Sequence, residues 1–420
     1  MEIDEKGLRE LSCKHKRVQT LMHYVNKKSL IEEHRKQCSR KAVGVDSITK
    51  EAYGAHLDAN ISNLLERMKS FSYQPKPVRR TYIPKGNGKT RPLGIPSYED
   101  KLVQGVMAKV LNDVYEPRFL DLSYGFRPNR SCHDVIKGIN DTIYYNPIGW
   151  IVEADIKGYF DSIDHDWLMK FLEHDIQDKN FLRYIVRFLK AGILEEGKFI
   201  DSERGSPQGG LISPVLANVY LHYVLDVWFE KGVKPHMRGQ VHLYRYADDF
   251  LVLFQYEDDA KKFYAVLPKR LEKFNLELAP EKTRIIPFGR YSGSRETFDF
   301  LGFTHINGKT QKGYYCVMRR TSEKKLKAKR RAVKEWMRVH MHYPIVDTLK
   351  KLSTKLVGHY RYYGISGNIK SLSKFYFYCM RTMFATLRRR GQRKRINWQT
   401  FNRMLKSIGV ATPKIYVNIW

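Results

Sequence analysis

Apolar positions along the chain change their spacing several times, and each change marks an element. Up to about residue 70 the pattern is helical and mostly polar, including a helical segment around Val18 to Gln37. From Tyr73 the spacing breaks. Pro75, Pro77, Pro84, Pro92 and Pro96 exclude a helix. Two short extended runs, Arg79 to Ile83 and Arg91 to Ile95, flank Gly86-Asn87-Gly88 and predict a β-hairpin. Leu102, Val106, Val110 and Leu111 then return to helical spacing between Tyr98 and about Tyr115.

The middle of the chain alternates. Trp150 to Asp155 reads as a strand ending in a carboxylate, followed by helical stretches from His165 to Glu173 and Asn180 to Gly192. Ser213-Pro214 opens another helix, with Gly232 as its stop. Leu243 to Phe254 is rich in aromatic and β-branched residues and is interrupted only by Ala247-Asp248-Asp249, which predicts two strands around a tight turn. Strands and helices in this order imply an α+β fold with an antiparallel sheet. The tail differs. Ile345, Leu349, Leu352, Leu356 and Tyr360 recur at helical spacing between Pro344 and Gly364. With Thr321 to His340 and Ile369 to Arg390, the second apolar on most sides and so central, this predicts a three-helix bundle.

Charge narrows the function classes. The 420 residues carry a formal net charge of +31. Residues 311–420 hold 27 basic and 3 acidic residues, a net of +24, with nothing acidic after Asp347. Such a density repels itself unless a polyanion lies against it, and a phosphate backbone is the usual one. Tyr360, Tyr362, Tyr363, Tyr376, Tyr378 and Trp398 are interleaved and suit base stacking or bundle packing. Five scattered cysteines without a Cys-x-x-Cys pair exclude a disulfide scaffold or a cysteine zinc finger and suit a reducing cytosol. The longest apolar stretch, Leu211 to Phe229, is broken by Pro214, Asn218, His222 and Asp226, so no membrane span is predicted.

The carboxylates carry the chemistry. If the Leu243–Phe254 strands pair beside Trp150–Asp155, then Asp155, Asp248 and Asp249 converge on one edge of the sheet. Hard oxygen ligands of this kind suit Mg²⁺, and a pair of such ions suits phosphoryl transfer to a hydroxyl. Each piece alone is ordinary, a helix cap or a turn. Gly88-Lys89-Thr90 mimics the end of a P-loop, but position 83 is Ile where the first glycine is required, and Pro92 precludes the helix.

Seven blocks occur in order: TYIPKGNGKTRPLGIP, YGFRPNRSCHDVI, EADIKGYFDSIDHDWL, GSPQGGLISPVLANVYL, YRYADDFLVLF, LAPEKTR and FDFLGF. From about Gly44 to Phe303 they resemble the bacterial group II intron reverse transcriptases, which also act as maturases. LVGHYRYYGISGN resembles that family's thumb more weakly. The resemblance implies a right-hand polymerase with fingers over 1–148, a palm over 149–310 and a basic helical thumb or maturase domain over 311–420. It assigns the metal ions to Asp155 and Asp248 with the Ile156 carbonyl, and puts Asp249 beside the primer end. The cofactor implied is two Mg²⁺ ions, with Mn²⁺ as a substitute. Phe160 matches the aromatic gate against a ribose 2′-hydroxyl. Arg79, Lys85 and Arg91 match cations holding the dNTP triphosphate, and Gln208 a glutamine of the dNTP pocket. Lys282 matches a lysine near the primer, and Leu301-Gly302-Phe303 the primer grip.

The partners implied are an RNA template, a DNA or RNA primer, dNTPs and the protein's own group II intron RNA. No membrane and no protein partner is indicated. A bacterial cytoplasmic, nucleoid- or ribonucleoprotein-associated location follows from the same resemblance. Pro214, where diversity-generating relatives carry Gln, sets the chain with the intron-encoded group. The tail has neither cysteine pairs nor acidic metal ligands, so the endonuclease-lacking type is expected. Two alternatives share the same core: a domesticated enzyme of phage defence or DNA repair, and a splicing-only RNA-binding maturase.

Overall fold

The computed structural model describes residues 5–84, 90–195, 198–200, 204–205, 209–390 and 396–419. It comprises two compact units, one of Met1–Val135 with Ile151–Ile285 and one of Ile136–Trp150 with Ile286–Trp420. Among the described residues no helix is long and apolar enough to cross a membrane.

The first unit is organised around the Tyr98–Tyr115 helix, which is buried over most of its surface. Ser97 opens it by accepting a hydrogen bond from the Asp100 backbone N–H at 3.3 Å. Its polar positions are inside only because each has a partner. Asp100 accepts from the Tyr73 hydroxyl and the Lys76 N–H, Lys101 donates to the Ala42 carbonyl, and the Gln104 amide oxygen accepts from the Leu211 N–H. The expected Val18–Gln37 helix is shorter. Asn26 forms a reciprocal cap with Ser29 and starts a fresh helix, Lys27–Lys36, while Leu21–Tyr24 is a separate 3₁₀ turn.

Val78–Pro84 and Thr90–Ile95 pair antiparallel, with Arg79 opposite Ile95 and Ile83 opposite Arg91. A short strand, Ile193–Glu195, joins parallel to Val78–Arg79, and Lys198–Ile200 pairs with it on the outside. That addition was not anticipated. The helix expected to reach Gly192 ends at Leu189, and Gly192 then accepts the Val78 N–H at 3.0 Å.

A four-stranded sheet holds the order Val241–Tyr246, Asp249–Phe254, Trp150–Asp155, Arg284–Pro287. Asp249–Phe254 is buried everywhere except its first residue, so the sheet is covered on both faces while one end opens to solvent. The Ser213–Leu221 helix continues through wide π-turns to Val233, next to the expected stop at Gly232.

In the second unit Thr297–Phe300, Phe303–Lys309 and Tyr315–Thr321 form an antiparallel sheet that the hydropathy pattern did not reveal. Among the described residues four helices come after it, Glu323–Val339, Ile345–Tyr363, Ile369–Arg388 and Trp398–Ile408, one more than the predicted bundle. Thr321 belongs to the sheet rather than to the first helix. The Ile369–Arg388 helix is buried on one face only: Phe377 is 63% exposed and Lys374 and Arg381 lie outside.

Candidate functional site

Asp155 is the last residue of its strand, and two backbone bonds hold the chain on either side of Ile156. The Ala279 N–H donates to the Asp155 carbonyl and the Lys157 N–H to the Glu277 carbonyl, both at 2.8 Å. Ile156 stands opposite Leu278 between them. Backbone groups alternate sides along a strand, so the Ile156 carbonyl faces away from Glu277–Ala279.

Asp248 occupies a two-residue hairpin loop, because Tyr246 pairs with Asp249 across it. Tight loops of this length need positive φ at their first position, and Ala247 has φ 58°. Burial, joined by the charge of Asp155, pushes the Asp248 carboxyl above its ordinary range, while its own backbone N–H, Arg91 and Lys282 pull it down. Asp155, Asp248, Arg91 and Lys282 therefore share one electrostatic neighbourhood. Lys282, at the end of the Pro280–Lys282 turn, donates to the Asp155 carboxylate, and this bond raises the ammonium above its usual value. Asp249 is exposed and acts on the same ammonium through its charge.

A carboxylate raised by burial and by the charge of Asp155, with Asp155 itself and an outward-facing carbonyl beside it, makes a set of hard oxygen donors suited to a divalent cation. Among the described residues no three His, Cys, Asp or Glu side chains converge as a ready-made metal cluster. The hairpin carrying Asp248 and Asp249 adjoins the strand that ends in Asp155, and Asp155 and Asp249 both act on the Lys282 ammonium.

The cationic hairpin obeys strand geometry. Arg79 and Arg91 oppose Ile95 and Ile83, so both arginines stand on the same face of the sheet. Lys85 and Gln208 lie outside the described residues. Gly209, at φ 115°, lies so close to the hairpin that an added Cβ would come within 2.5 Å of the Gly94 carbonyl oxygen. Phe160 is half-buried in the short Tyr159–Ser162 helix, with its ring edge-on to Phe126 at 6.4 Å.

Leu301 and Gly302 form the turn between Phe300 and Phe303 in the second unit, with φ 49° and 80°. Positive φ at both central residues is a type I′ requirement, and leucine rarely meets it. The Tyr362 hydroxyl holds the Leu301 carbonyl at 2.9 Å, and the Ser322 N–H the Gly302 carbonyl at 2.9 Å.

Several residues that set this geometry escaped the sequence reading. Arg245 is fully buried, paired through two bonds with Asp226, and it also donates to the Asn218 side chain at 3.0 Å and the Ala247 carbonyl at 3.1 Å. Asn218 in turn donates to the Gly125 carbonyl at 2.7 Å. Gly125 is pressed against the hairpin loop: an added Cβ would lie 2.3 Å from the Ala247 nitrogen. Phe126, next in sequence, is 52% exposed at φ 58°. A bulky residue exposed in the left-handed region signals a constraint other than local stability. The YGFRPNR block was visible in the sequence, but nothing in it showed which partner each residue meets.

The α+β fold with antiparallel sheets that carries these carboxylates and the arginine-bearing hairpin is that of a right-hand polymerase. The chain belongs to the reverse transcriptase (RNA-dependent DNA polymerase) family, whose profile matches residues 83–305. It is 35% identical over 265 residues to the group II intron-encoded protein LtrA of Lactococcus lactis subsp. cremoris, covering 60% of this chain and 44% of that protein. It is 33% identical over 336 residues to the protein YkfC of Escherichia coli K12, covering 71% of this chain and 85% of YkfC. A 91 kDa protein in the cob intron of Schizosaccharomyces pombe is 42% identical over 170 residues, 40% of this chain and 21% of that protein. The chain thus spans less than half the length of LtrA. Its relatives include a group II intron-encoded protein. Reverse transcriptases generally use divalent metal ions.

Proposed function

We propose that this protein is an RNA-directed DNA polymerase that extends a DNA or RNA primer with dNTPs on an RNA template. The observation that carries the reading is the coupling of Asp155 and Asp248 to each other and to Arg91 and Lys282, in a chain of this family. Asp155, Asp248 and the Ile156 carbonyl would hold two Mg²⁺ ions, for which Mn²⁺ would substitute, with Asp249 beside the primer end. When bound, such ions supply Lewis acidity toward the attacking 3′-hydroxyl and the leaving pyrophosphate. Arg79, Lys85 and Arg91 hold the triphosphate and offset the charge that grows on pyrophosphate as the bond breaks. Phe160 closes the space below the sugar C2′, where hydrogen fits and a hydroxyl does not. Gln208 serves the same dNTP pocket. Lys282 exchanges its bond to Asp155 for the charge of primer or substrate, and Leu301-Gly302-Phe303 steadies the primer.

In this reading residues 1–148 are N-terminal extension and fingers, 149–310 the palm and 311–420 the thumb or maturase domain. The basic helical tail supports a second role, binding and stabilising the protein's own group II intron RNA in the bacterial cytoplasm. That role needs basic and aromatic surface but no catalytic carboxylate.

Primer extension on poly(rA)/oligo(dT) with Mg²⁺ tests the proposal. Extension by dTTP but not UTP, lost in Asp248→Ala while RNA affinity is retained, is the expected result. No extension with tight RNA binding would turn the reading to a splicing-only maturase. Loss of RNA affinity in Asp248→Ala would overturn the separation of the two roles.

A further inference from the structure

Among the described residues the three most exposed aromatic side chains are Tyr145 (78%), Tyr291 (73%) and Tyr314 (67%). They are far apart in sequence, yet each is the chain neighbour of one member of a single cluster in the second unit. The Arg290 guanidinium lies between two rings, 5.2 Å from Tyr144 and 5.6 Å from Tyr315. Both spacings are within cation–π reach. Tyr145 stands edge-on to Tyr144 at 4.9 Å. Lone exposed rings are ordinary, whereas a gathering of them marks an interaction surface.

The fold sets this surface before anything binds. Gly289, at φ 139°, lies so close to the Ile148 carbonyl oxygen that a Cβ there would overlap it. The Phe288 N–H donates to the Gly149 carbonyl at 2.9 Å. The segment that follows the Cys132–Tyr145 helix and the loop that carries Arg290 are thereby fixed side by side. Beyond Tyr291, the Ser292 hydroxyl donates to the Gly289 carbonyl at 3.0 Å, and the Asn307 amide to the Ser294 carbonyl at 3.1 Å. Asn307 also accepts from the Tyr315 hydroxyl at 2.8 Å, which ties the loop to the Phe303–Lys309 and Tyr315–Thr321 strands. A surface braced in this way has little left to order on binding.

Charge says what the surface fits. Lys309 pairs with Tyr315 across the strands, and Lys312 sits in the turn that the Thr310 N–H closes onto the Tyr314 carbonyl at 2.8 Å. Both lysines and Arg290 are exposed. Of the carboxylates nearby in sequence, Asp141 accepts from the Asn140 side chain at 3.0 Å and acts on buried Arg319, while Glu296 adjoins the exposed Arg295. Cations suit phosphate, and flat exposed rings suit bases without a pairing partner, because a duplex keeps its base faces stacked on one another. An acidic peptide would use the cations and leave the rings idle.

We propose that Tyr145, Tyr291 and Tyr314 form a stacking platform for an unpaired stretch of nucleic acid, whose phosphates Arg290, Lys309 and Lys312 hold. The platform shares no residue with the polymerase site and needs neither metal ion nor dNTP.

Fluorescence anisotropy on the full chain in EDTA tests it, with oligo(rA), oligo(dA) and an RNA duplex as probes, each about 12 nucleotides long. Tyr145→Ala, Tyr291→Ala and Tyr314→Ala combined should weaken both single strands about tenfold or more and leave the duplex within about twofold. That variant should melt as the wild type does, because all three rings are exposed. Its salt dependence should keep the wild-type slope, whereas Lys309→Gln with Lys312→Gln should flatten the slope by about 0.7 for each phosphate released. Loss on oligo(rA) alone makes the ligand RNA, loss on oligo(dA) alone makes it DNA, and loss on both admits either strand. Ultraviolet cross-linking to oligomers carrying 5-iodouracil gives the address, with adducts expected at Tyr145, Tyr291 or Tyr314. Unchanged single-strand affinity, a matching loss on the duplex, or adducts only at other residues overturns the proposal. A changed oligomeric state in the triple variant, with single-strand binding intact, overturns it in favour of a second copy of this chain. Primer extension, measured separately, keeps any failure of the polymerase reading distinct.

Discussion

Arg245 and Asp226 share two hydrogen bonds, Nε to Oδ1 at 2.7 Å and Nη2 to Oδ2 at 2.5 Å, and neither side chain is exposed. The remaining guanidinium nitrogen reaches the Ala247 carbonyl, one residue before Asp248. A charge pair inside the core therefore braces the loop that carries a proposed metal ligand. Removing one partner leaves the other charge buried and alone, at a cost of about 3–5 kcal/mol. Asp226→Ala should lose that much in urea unfolding. Asp226→Leu with Arg245→Met should recover most of it and still extend primers poorly, because the loop has lost its brace. Full activity in the double variant would confine the pair to a folding role.

Gly125 lies against that loop from outside. In Gly125→Ala the new methyl would meet Ala247 nitrogen at 2.3 Å and the Tyr246 carbonyl carbon at 2.9 Å, both backbone atoms that cannot swing aside. Overpacking of this kind costs about 1–3 kcal/mol, and a reacting group displaced by about 1 Å can lose about a hundredfold in rate. Extension kinetics should show kcat falling at least about tenfold. Gly7→Ala, where a Cβ meets nothing within 4 Å, is the control and should be neutral.

Phe160 presents its ring beside Phe126. Shortening it to alanine opens space for one hydroxyl. Discrimination by pocket shape alone is worth roughly 10–200-fold. In competition assays with Mg²⁺, Phe160→Ala should raise UTP incorporation relative to dTTP by about that factor. An unchanged ratio would move the gate to another residue.

The second unit should be acid-sensitive through a histidine remote from the site. His305 is fully buried, stacked on Phe298 at 4.5 Å, paired across strands with Arg319, and without a hydrogen-bond partner on either nitrogen among the described residues. Burial and the Arg319 charge lower it from 6.5 to about 3. The unfolded chain takes up the proton first as pH falls. The stability this residue contributes is therefore complete above about pH 6.5 and drains away toward about pH 3. Thermal melts between about pH 7 and 4 should fall less steeply in His305→Phe than in the wild type. Equal slopes would mean that the ring finds a partner on protonation.

RNA affinity should fall steeply with salt, because the net +24 of residues 311–420 displaces counterions when it meets phosphate. Replacing Lys334, Arg338 and Arg381 by glutamine should flatten the log–log slope by about 0.7 for each phosphate of a single strand that is no longer neutralised. A slope unchanged in that variant would place the phosphate-binding surface elsewhere.

Local signals made much of this architecture legible in advance. The Tyr98–Tyr115 helix announced itself through apolar spacing, and the 241–254 hairpin through β-rich runs around a short polar break. The strand ending in Asp155 was equally plain. All of these depend on neighbours within a few residues. The 297–321 sheet was hidden because polar residues such as Thr304, Asn307 and Lys309 dilute its alternation, and its inner face is completed by pairing across strands. The same limit applied to the site. The sequence by itself determined where the carboxylates and the arginine hairpin stand, because turn chemistry and strand periodicity act along the chain. Only the tertiary structure decided that Arg245 would pair with Asp226, that Gly125 would touch the loop at Ala247, and that Lys282 would reach Asp155 across 127 positions. Burial and charge neutralisation belong to a residue's surroundings, and those exist only once distant segments have packed.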